Sequence, residues 1–251
     1  MKKHYLFILT FSFFFSFSFS QTTYYVATSA NGGNDSNNGT TEATPMLTLA
    51  AAVSASSSGD TINVGPGTFS SECNILANKP LTIQGHGRDE TIFDGSSGNS
   101  SCGFMAITAN VTVQNMTIQD YATSVNGSYF RFNSAGINIG GVRGTEYTTS
   151  SPLQVYLRNI KFYNIASSGS GNYGGAITTV SNYNGTNHGI YILQCIFMDN
   201  EASSWGGALA TADGVSVVIQ NSYFIDNGCW WRCYFLCGLE CIWRLQYNVF
   251  L

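Results

Sequence analysis

The chain has 251 residues, a length that fits one ordinary domain. Charged residues make up 10% of it, against roughly a quarter in most soluble proteins. The net charge is −4 without a basic stripe, which disfavours nucleic acid as a partner. Because hydrophobic residues reach 44%, the abundance of Gly, Ser, Thr and Asn does not indicate disorder.

The first 20 residues are typical of an export signal. Two lysines precede an apolar run over residues 5–19, and the Ser-Phe-Ser at its end fits a cleavage site before Gln21. The run is short for a membrane span of about 20 residues, and polar residues follow it. We therefore predict a signal peptide over residues 1–20, a secreted, extracellular or outer-membrane location, and no transmembrane helix in the mature chain.

Residues 21–70 are expected to form an N-terminal cap. Residues 24–27 fit a first strand, and residues 47–55 have helical spacing with Thr44 as the candidate N-cap. A Gly/Pro-rich stretch then indicates a strand and a turn. Such a cap covers the core and the strand edge that the first repeat would otherwise expose.

A polar loop over residues 31–40 superficially resembles a calcium loop. Asp35 is its only acidic residue, and Glu42 lies just beyond it. A calcium site needs several oxygen ligands, so we interpret these residues as a solvated loop.

Residues 190–227 contain two copies of the same pattern of apolar and polar residues. Aligning Phe197 with Phe224 superimposes the apolar positions at an offset of 27 residues. Apolar residues occupy every second position, as in a strand, until the alternation shifts by one residue near Asn221, which predicts a sharp bend there. Asn tolerates the left-handed backbone conformation that such a bend needs. A period of this size with strand-like spacing predicts a solenoid of short strands and corners.

Earlier parts of the chain fit the same pattern. We expect one inward column to contain Ile118, Phe162, Phe197 and Phe224. A corner column contains Asn115, Asn159, Gln194 and Asn221. A further column contains Gln84, Gln114, Arg158 and Gln220. Amides stacked in this way are expected to hydrogen-bond from one strand to the next.

A second motif alternates with the first: Gly-Gly-Ala-Ile at residues 174–177 and Gly-Gly-Ala-Leu at 206–209. Phe-x-x-Asn followed by Gly-Gly-Ala-(Ile/Leu) resembles the repeat of chlamydial polymorphic outer membrane proteins, although one Asn comes a place early, at Asn164. Residues 24–227 are similar to pectin-lyase-like proteins. The resemblance implies an all-β, single-stranded right-handed parallel β-helix (solenoid) with repeats over residues 71–227 and a short N-terminal capping helix. Its motifs are specific for the fold and weak for activity.

Three cysteines lie in the repeat region. Cys73 and Cys102 are 29 residues apart, about one repeat, so they form either a disulfide or two separate small core residues. Cys195 falls in an inward column and is interpreted as core packing.

One column of acids is the candidate for chemistry. Asp120, Asp199 and Asp226 share it with Asn164. A lyase of this fold would need clustered carboxylates for calcium and an Arg or Lys base. The candidate bases are Arg88, Arg131, Arg143, Arg158 and Lys161, and none has catalytic spacing to this column. We interpret the column as a turn ladder whose side chains accept backbone N–H bonds. We predict no catalytic, cofactor or metal residue, with calcium kept as the alternative cofactor.

Histidines and aromatic residues give weaker signals. His86 and His188 are placed in loops without a partner pattern, which argues against Ser/His/Asp or zinc chemistry. The aromatic residues placed in loops or turns are Tyr121, Tyr129, Phe130, Tyr147, Tyr173, Tyr183 and Trp205. They either stack on sugar rings or cover the ends of the fold.

The composition changes abruptly after Asn227. Residues 228–251 contain four Cys and three Trp, and the Cys spacing lacks the paired CxxC of zinc sites. Reading the codons of residues 230–232 one nucleotide later gives Gly-Gly. The following shifted codons permit Asp or Ala, then Ala or Val, then Ile or Thr. The result, Gly-Gly-x-(Ala/Val)-(Ile/Thr), is close to the Gly-Gly-Ala-(Ile/Leu) that the repeat requires near this place. We predict a reading-frame shift after about Asn227. A shifted frame without further repeat units would refute it.

These observations leave two classes of function. The first is a non-enzymatic secreted or cell-surface protein, such as an adhesin or envelope repeat protein, that contacts polysaccharide or another cell-surface component. The alternative is a polysaccharide lyase or hydrolase of the same fold. A fragment that has lost a C-terminal export or anchoring module is compatible with the first class. The absence of a catalytic spacing pattern favours the first.

Overall fold

The computed structural model describes residues 21–70, 72–97, 102–123, 134–140, 152–168, 174–179, 188–203, 206–211 and 215–229, and the backbone of 243–245 and 249–250. Within these ranges the chain is all-β with one short α-helix, and its strands pair mostly in parallel. The residues of the predicted signal peptide lie outside the described ranges.

Short strands recur along the chain in a repeating order, and each repetition of that order is called a pass. The α-helix, α1, is Leu49–Ala55, and a 3₁₀ helix is Ser29–Asn31. The strands in chain order are β1 (Thr23–Val26), β2 (Thr61–Val64), β3 (Gly67–Phe69), β4 (Ile75–Ala77), β5 (Leu81–Gln84), β6 (Thr91–Asp94), β7 (Met105–Ile107), β8 (Val111–Gln119), β9 (Ala122–Thr123), β10 (Ile137–Ile139), β11 (Gln154–Tyr163), β12 (Ala166–Ser167), β13 (Ile177–Thr179), β14 (His188–Leu193), β15 (Ile196–Met198), β16 (Glu201–Ala202), β17 (Leu209–Ala210), β18 (Val215–Gln220), β19 (Ser222–Ile225), β20 (Gly228–Cys229), β21 (Trp243–Leu245) and β22 (Val249–Phe250).

Strands of successive passes lie side by side in three sheets. The largest sheet follows the order β1-β2-β5-β8-β11-β14-β18, and β3, β6, β15 and β19 extend it beyond a corner. The second sheet has the order β17-β13-β10-β7-β4, and the third has the order β20-β16-β12-β9. Each strand therefore pairs with the equivalent strands of the preceding and following repeats, and the inward apolar residues of the two larger sheets belong to one shared core.

The predicted register within the largest sheet is confirmed. Val155 pairs with Val111 on one side and Ile190 on the other, and Ile190 pairs with Val217. All four side chains are buried, while the residues that alternate with them are at least partly exposed, except for Gly189, which is buried. Period-two alternation thus identified the strands and their inward faces.

The predicted corners are also confirmed. Asn115, Asn159, Gln194 and Asn221 have φ values of 61°, 51°, 57° and 50°. A second corner is formed by Asp120, Asn164, Asp199 and Asp226, with φ values of 57°, 50°, 54° and 48°. Asn and Asp adopt this left-handed conformation more readily than other non-glycine residues, which explains their recurrence at both corners.

The inward aromatic column forms as expected. Phe162, Phe197 and Phe224 are buried and stack in sequence, with ring centroids 4.8 and 4.6 Å apart. Ile118 precedes Phe162 in the register, and Phe93 precedes Ile118. Stacking of identical rings along the sheet direction therefore contributes to the core.

The Gly-Gly-Ala motif makes a tight entry into the second sheet. Gly174 and Gly206 have positive φ, at 68° and 59°. A Cβ on Gly175 would lie 2.1 Å from the carbonyl oxygen of Gly207 in the next pass, so only glycine fits there. Ala176 is fully buried, as predicted.

The cap contains the expected helix, but its capping residue was predicted wrongly. Helix α1 begins at Leu49, and its N-cap is Thr48 rather than Thr44. The Thr48 hydroxyl accepts the Ala51 N–H at 3.1 Å. Asp35 is not simply solvated, because its carboxylate accepts the N–H groups of Leu47 and Thr48, each at 2.9 Å. This side chain therefore orders the entry into the helix.

The cysteine alternatives are resolved. Cys73 and Cys102 form a disulfide with their Cα atoms 5.5 Å apart. Cys195 is a fully buried thiol, as predicted. Its backbone N–H donates to the Ser222 hydroxyl at 3.1 Å, so the two small residues of this column are joined across adjacent passes.

The parallel register extends two residues further than predicted. Gly228 and Cys229 pair with Glu201 and Ala202, so the pattern does not end at Asn227. Farther on, β21 and β22 run antiparallel to β19 and β18, unlike the preceding strands. Residues 230–242 lie outside the described residues, and the reading-frame shift stays a prediction.

Candidate functional site

The outward face of the largest sheet changes character from one pass to the next. On β8 its residues are polar: Thr112, Gln114, Thr117 and Gln119. On β11 they are aromatic and cationic: Tyr156, Arg158, Lys161 and Tyr163. On β14 and β15 they are aromatic and apolar: Tyr191, Leu193, Ile196 and Met198. We call the five residues Tyr156, Arg158, Lys161, Tyr163 and Tyr191 the tyrosine strip.

Two tyrosines of the strip stack across adjacent strands. The ring centroids of Tyr156 and Tyr191 are 4.5 Å apart, and their planes differ by 11°. The register places these residues directly opposite one another. The Arg158 guanidinium lies over the Tyr156 ring, 5.1 Å from its centroid. The stack therefore joins an aromatic surface to an exposed cation.

The same arrangement is repeated beyond the corner. The Lys161 ammonium lies 4.6 Å from the centroid of the Tyr163 ring, two residues along the same strand. Both side chains are half-buried. An aromatic ring thus supports each cation of the strip on the outward face.

A third cation reaches this corner from an earlier pass. The Arg88 guanidinium donates to the backbone carbonyl of Gln194 at 3.2 Å. Gln194 occupies the same corner position as Asn159, one pass later in the chain. Of the four Lys and Arg side chains that the structure describes, three therefore lie around one corner, although the chain as a whole is acidic.

The amide columns form the axial hydrogen bonds that their spacing predicted. Gln114 donates its side-chain amide to the Gln84 oxygen at 3.0 Å, and Asn159 donates to Asn115 at 2.9 Å. Arg158 continues the glutamine column, as predicted. These bonds hold the outward face in register beside the tyrosine strip.

The aspartate column forms a corner, but its bonds differ from the prediction. The Asn164 side-chain amide donates to the Asp120 carboxylate at 2.6 Å, so this contact joins two side chains. The backbone N–H of Asp199 donates to the carbonyl of Ile225 at 3.1 Å. The left-handed backbone turns these N–H groups toward the next pass, and backbone carbonyls rather than carboxylates accept them.

The two histidines differ from one another. His86 lies in an exposed loop, as predicted. The loop assignment of His188 is wrong, because His188 begins β14 and is 1% exposed. Its Nδ1 accepts the Leu153 N–H at 3.1 Å. Burial lowers the pKa of His188, so the imidazole is neutral at pH 7. The alternation of β14 extends to this residue and could have revealed the strand.

The buried thiol is not positioned for chemistry. Burial raises the pKa of Cys195 to about 12. A thiolate is the reactive form of cysteine, so this residue is inert at neutral pH.

The aromatic residues assigned to loops are not those of the strip. Tyr121 lies between β8 and β9, outside the strands as predicted, but it points into the core, with its ring 5.4 Å from that of Phe104. The other predicted positions, Tyr129, Phe130, Tyr147, Tyr173, Tyr183 and Trp205, lie outside the described residues. The strip was not predicted, because the columns derived from the sequence contain mainly the inward and corner residues of each strand. Tyr156 lies between two inward residues, so the same alternation marks it as outward.

Within the described ranges, no three His, Cys, Asp or Glu side chains cluster so as to hold a metal ion. Arg131 and Arg143 lie outside these ranges. The same ranges contain no helix that is long and apolar enough to span a membrane.

No family model matches the chain, and no curated protein does. A solved structure described as "Rhamnogalacturonan lyase" is similar to it, with 17% sequence identity and a TM-score of 0.43. The match covers 80% of this chain and 67% of the other.

Proposed function

We propose that the chain is a right-handed parallel β-helix, exported from the cell, whose outward face contacts polysaccharide without cleaving it. Parallel pairing of one strand per pass in each sheet supports a solenoid. Connections between parallel strands of one sheet are nearly always right-handed. The signal-like N-terminus supports export, and the disulfide between Cys73 and Cys102 fits an oxidising compartment.

The tyrosine strip is the observation that carries the proposed contact with sugars. Aromatic rings pack against the C–H faces of sugar rings, and their hydroxyls bond to sugar hydroxyls. Arg158 is exposed and supplies several N–H donors beside the stacked rings. Because the strip lies on the outward face of the sheet rather than in a cavity, it suits an extended chain better than a small molecule.

The arrangement of the acids supports binding rather than cleavage. Asp120, Asp199 and Asp226 occupy the same place in different passes and serve as corner residues. The three candidate bases that the structure describes are engaged elsewhere: Arg88 with a carbonyl, and Arg158 and Lys161 with tyrosine rings. A lyase would need a base directed at the substrate carbon beside a metal or acid.

Binding to pectin, alginate and chondroitin sulfate, with calcium or with a chelator, tests this function. We expect association without depolymerisation. Replacing Tyr156 or Tyr191 by alanine should weaken binding roughly 3- to 10-fold, as loss of an aromatic contact does. Tyr25→Ala is the matched control, because Tyr25 is a partly exposed tyrosine on β1 of the same sheet, far from the strip.

Two results would overturn the proposal. Equal loss of binding in the strip variants and in Tyr25→Ala would remove the strip from the contact. Calcium-dependent release of unsaturated sugar products, abolished by Asp199→Asn, would instead establish the lyase alternative.

A further inference from the structure

The disulfide between Cys73 and Cys102 joins two adjacent passes beside the N-terminal cap. Cys73 leads into β4 and Cys102 leads into β7, its neighbour in the second sheet. The backbone N–H of Asn74 donates to the Gly103 carbonyl at 2.7 Å, so the two segments run side by side at the cross-link. Helix α1 contacts β4. The disulfide therefore fixes the first pass to the second where α1 covers the sheet.

The residue before the disulfide connects this pass to helix α1. The Glu72 side chain is 4% exposed. One of its carboxylate oxygens accepts the Leu49 N–H in a short hydrogen bond, and the other accepts the Ala50 N–H at 3.3 Å. The Glu72 carbonyl accepts the Tyr121 hydroxyl at 3.0 Å. Because the first N–H groups of a helix lack partners within it, Glu72 completes the start of α1 from the cross-linked pass.

Helix α1 covers apolar surface at the beginning of the fold. Its buried residues are Leu49, Ala52 and Val53, and it contacts β1, β2 and β4. In the described part of the chain, β4 is the last strand of the second sheet. Detachment of α1 would therefore expose both core and a strand edge, the two features that promote association with other chains.

We propose that the Cys73–Cys102 disulfide is a redox switch for the N-terminal cap, which closes stably on the first passes only after the bond has formed. The cross-link removes conformational freedom from states in which the first pass is open, and it holds Glu72 in the position at which α1 docks. A reduced chain would have a loosened cap. This inference is independent of the tyrosine strip, and it takes from the proposed export only the oxidising compartment.

Thiol–disulfide exchange with an oxidised dithiol partner forms the bond. In the closed cap Cys73 is exposed, whereas Cys102 is 5% exposed, so the partner reaches Cys73 first. The Cys73 thiolate attacks the partner's disulfide and forms a mixed disulfide, releasing one partner thiol. The Cys102 thiolate then attacks the Cys73 sulfur and releases the second partner thiol. Two protons and two electrons thus pass from the cysteines to the partner, whose disulfide is reduced.

Hydrogen exchange of the oxidised full chain, with and without excess dithiothreitol, tests the switch. The quantities compared are the protection factors of α1 and β4, each taken relative to β14, which lies several passes away. We expect reduction to lower both ratios roughly 10- to 100-fold, because the open cap regains the freedom that the cross-link removed. Mass spectrometry of the same samples verifies that the bond is broken.

The variant Cys73→Ser/Cys102→Ser separates this bond from the four cysteines of residues 228–251. Serine suits the buried site, because the register places Ser134 in the position of Cys102 one pass later. The variant should have low α1 and β4 protection without reductant, and dithiothreitol should not lower it further.

Glu72→Ala isolates the contribution of the carboxylate. In the oxidised chain it should lower the protection of α1 and leave β4 protected, because β4 keeps its pairing with β7 and the disulfide. Equal protection of α1 in this variant and in the wild type would remove Glu72 from the connection.

Three results would overturn the switch. The first is a constant ratio of α1 to β14 protection after the bond is reduced. The second is an equal loss in α1 and β14, which would mean that the whole fold opens rather than the cap. The third is a response of the double serine variant to dithiothreitol. The wild-type comparison decides the matter even if a variant fails to fold, and it requires neither export nor sugar binding.

Discussion

The asparagine of the Phe-x-x-Asn motif is a buried hydrogen-bonding residue. The Asn200 side chain is fully buried and donates to the Phe162 carbonyl at 3.1 Å and to the Asn227 side chain at 2.8 Å. Its oxygen accepts the Ile165 N–H at 3.1 Å. One side chain thus bridges the passes before and after its own, which explains why the motif requires an amide with both a donor and an acceptor.

The neighbouring Asn164 allows a matched comparison. Asn200→Ala should lower the free energy of unfolding by roughly 2–4 kcal/mol, because it leaves buried backbone groups without partners. Asn164→Gly should cost less than about 1 kcal/mol, because glycine accepts the left-handed φ of 50° and water can replace the bond that the exposed Asn164 side chain makes to Asp120. Urea unfolding of both variants measures the difference. Equal losses would mean that burial of the amide does not matter.

Residues whose environment comes from local alternation were predicted well. Asn221 was placed at a corner because the apolar alternation shifts by one residue beside it, and its φ of 50° confirms this. Tyr121 and Asp35 were placed correctly outside the strands, but the burial of Tyr121 and the hydrogen bonds of Asp35 were not predicted, because their partners are remote in sequence. The hydroxyl of Tyr121 bonds to Glu72, 49 residues away, and Asp35 bonds to Thr48 across the cap. Sequence spacing contains no signal for such contacts.

At the scale of elements, stacking of inward aromatic residues joins the passes. Phe197 lies between Phe162 and Phe224 with both of its faces covered. Phe197→Ala should lower the free energy of unfolding by roughly 3–5 kcal/mol, since it opens a cavity between two rings. Asp199→Asn, two residues away on an exposed corner, should change it little, because Asn already occupies the equivalent position at 164.

Thermal or urea unfolding of these two variants checks the prediction. A small effect of Phe197→Ala, comparable to that of Asp199→Asn, would contradict the assignment of this column to the core.

Helix α1 shows where prediction of elements reached its limit. Its helical spacing was recognised, but its boundary was placed two residues early and its cap four residues early. Three side chains define the true start: Thr48 by local bonding, and Asp35 and Glu72 by bonds across the cap. Only Thr48 bonds to a residue close to it in the sequence, so only its contribution can be recognised from a sequence pattern.

At the scale of the whole molecule, the repeat period specified which strands are neighbours, because residues one period apart share a column. It also specified inward and outward faces. It did not reveal the tyrosine strip, since tyrosines occur once or twice per pass and become a surface only when passes are stacked. The proposed polysaccharide contact therefore depends on the register between β11 and β14.

Cysteine cross-linking tests that register most directly. Tyr156 and Tyr191 are opposite one another, 35 residues apart in the chain. Adjacent strands lie about 4.8 Å apart, within reach of a disulfide, whereas a two-residue offset gives about 8 Å. After mild oxidation, peptide mapping should find the cross-link in Tyr156→Cys/Tyr191→Cys and not in Tyr156→Cys/Leu193→Cys. Cross-linking of the offset pair but not of the opposed pair would contradict the stacked register and the strip built on it.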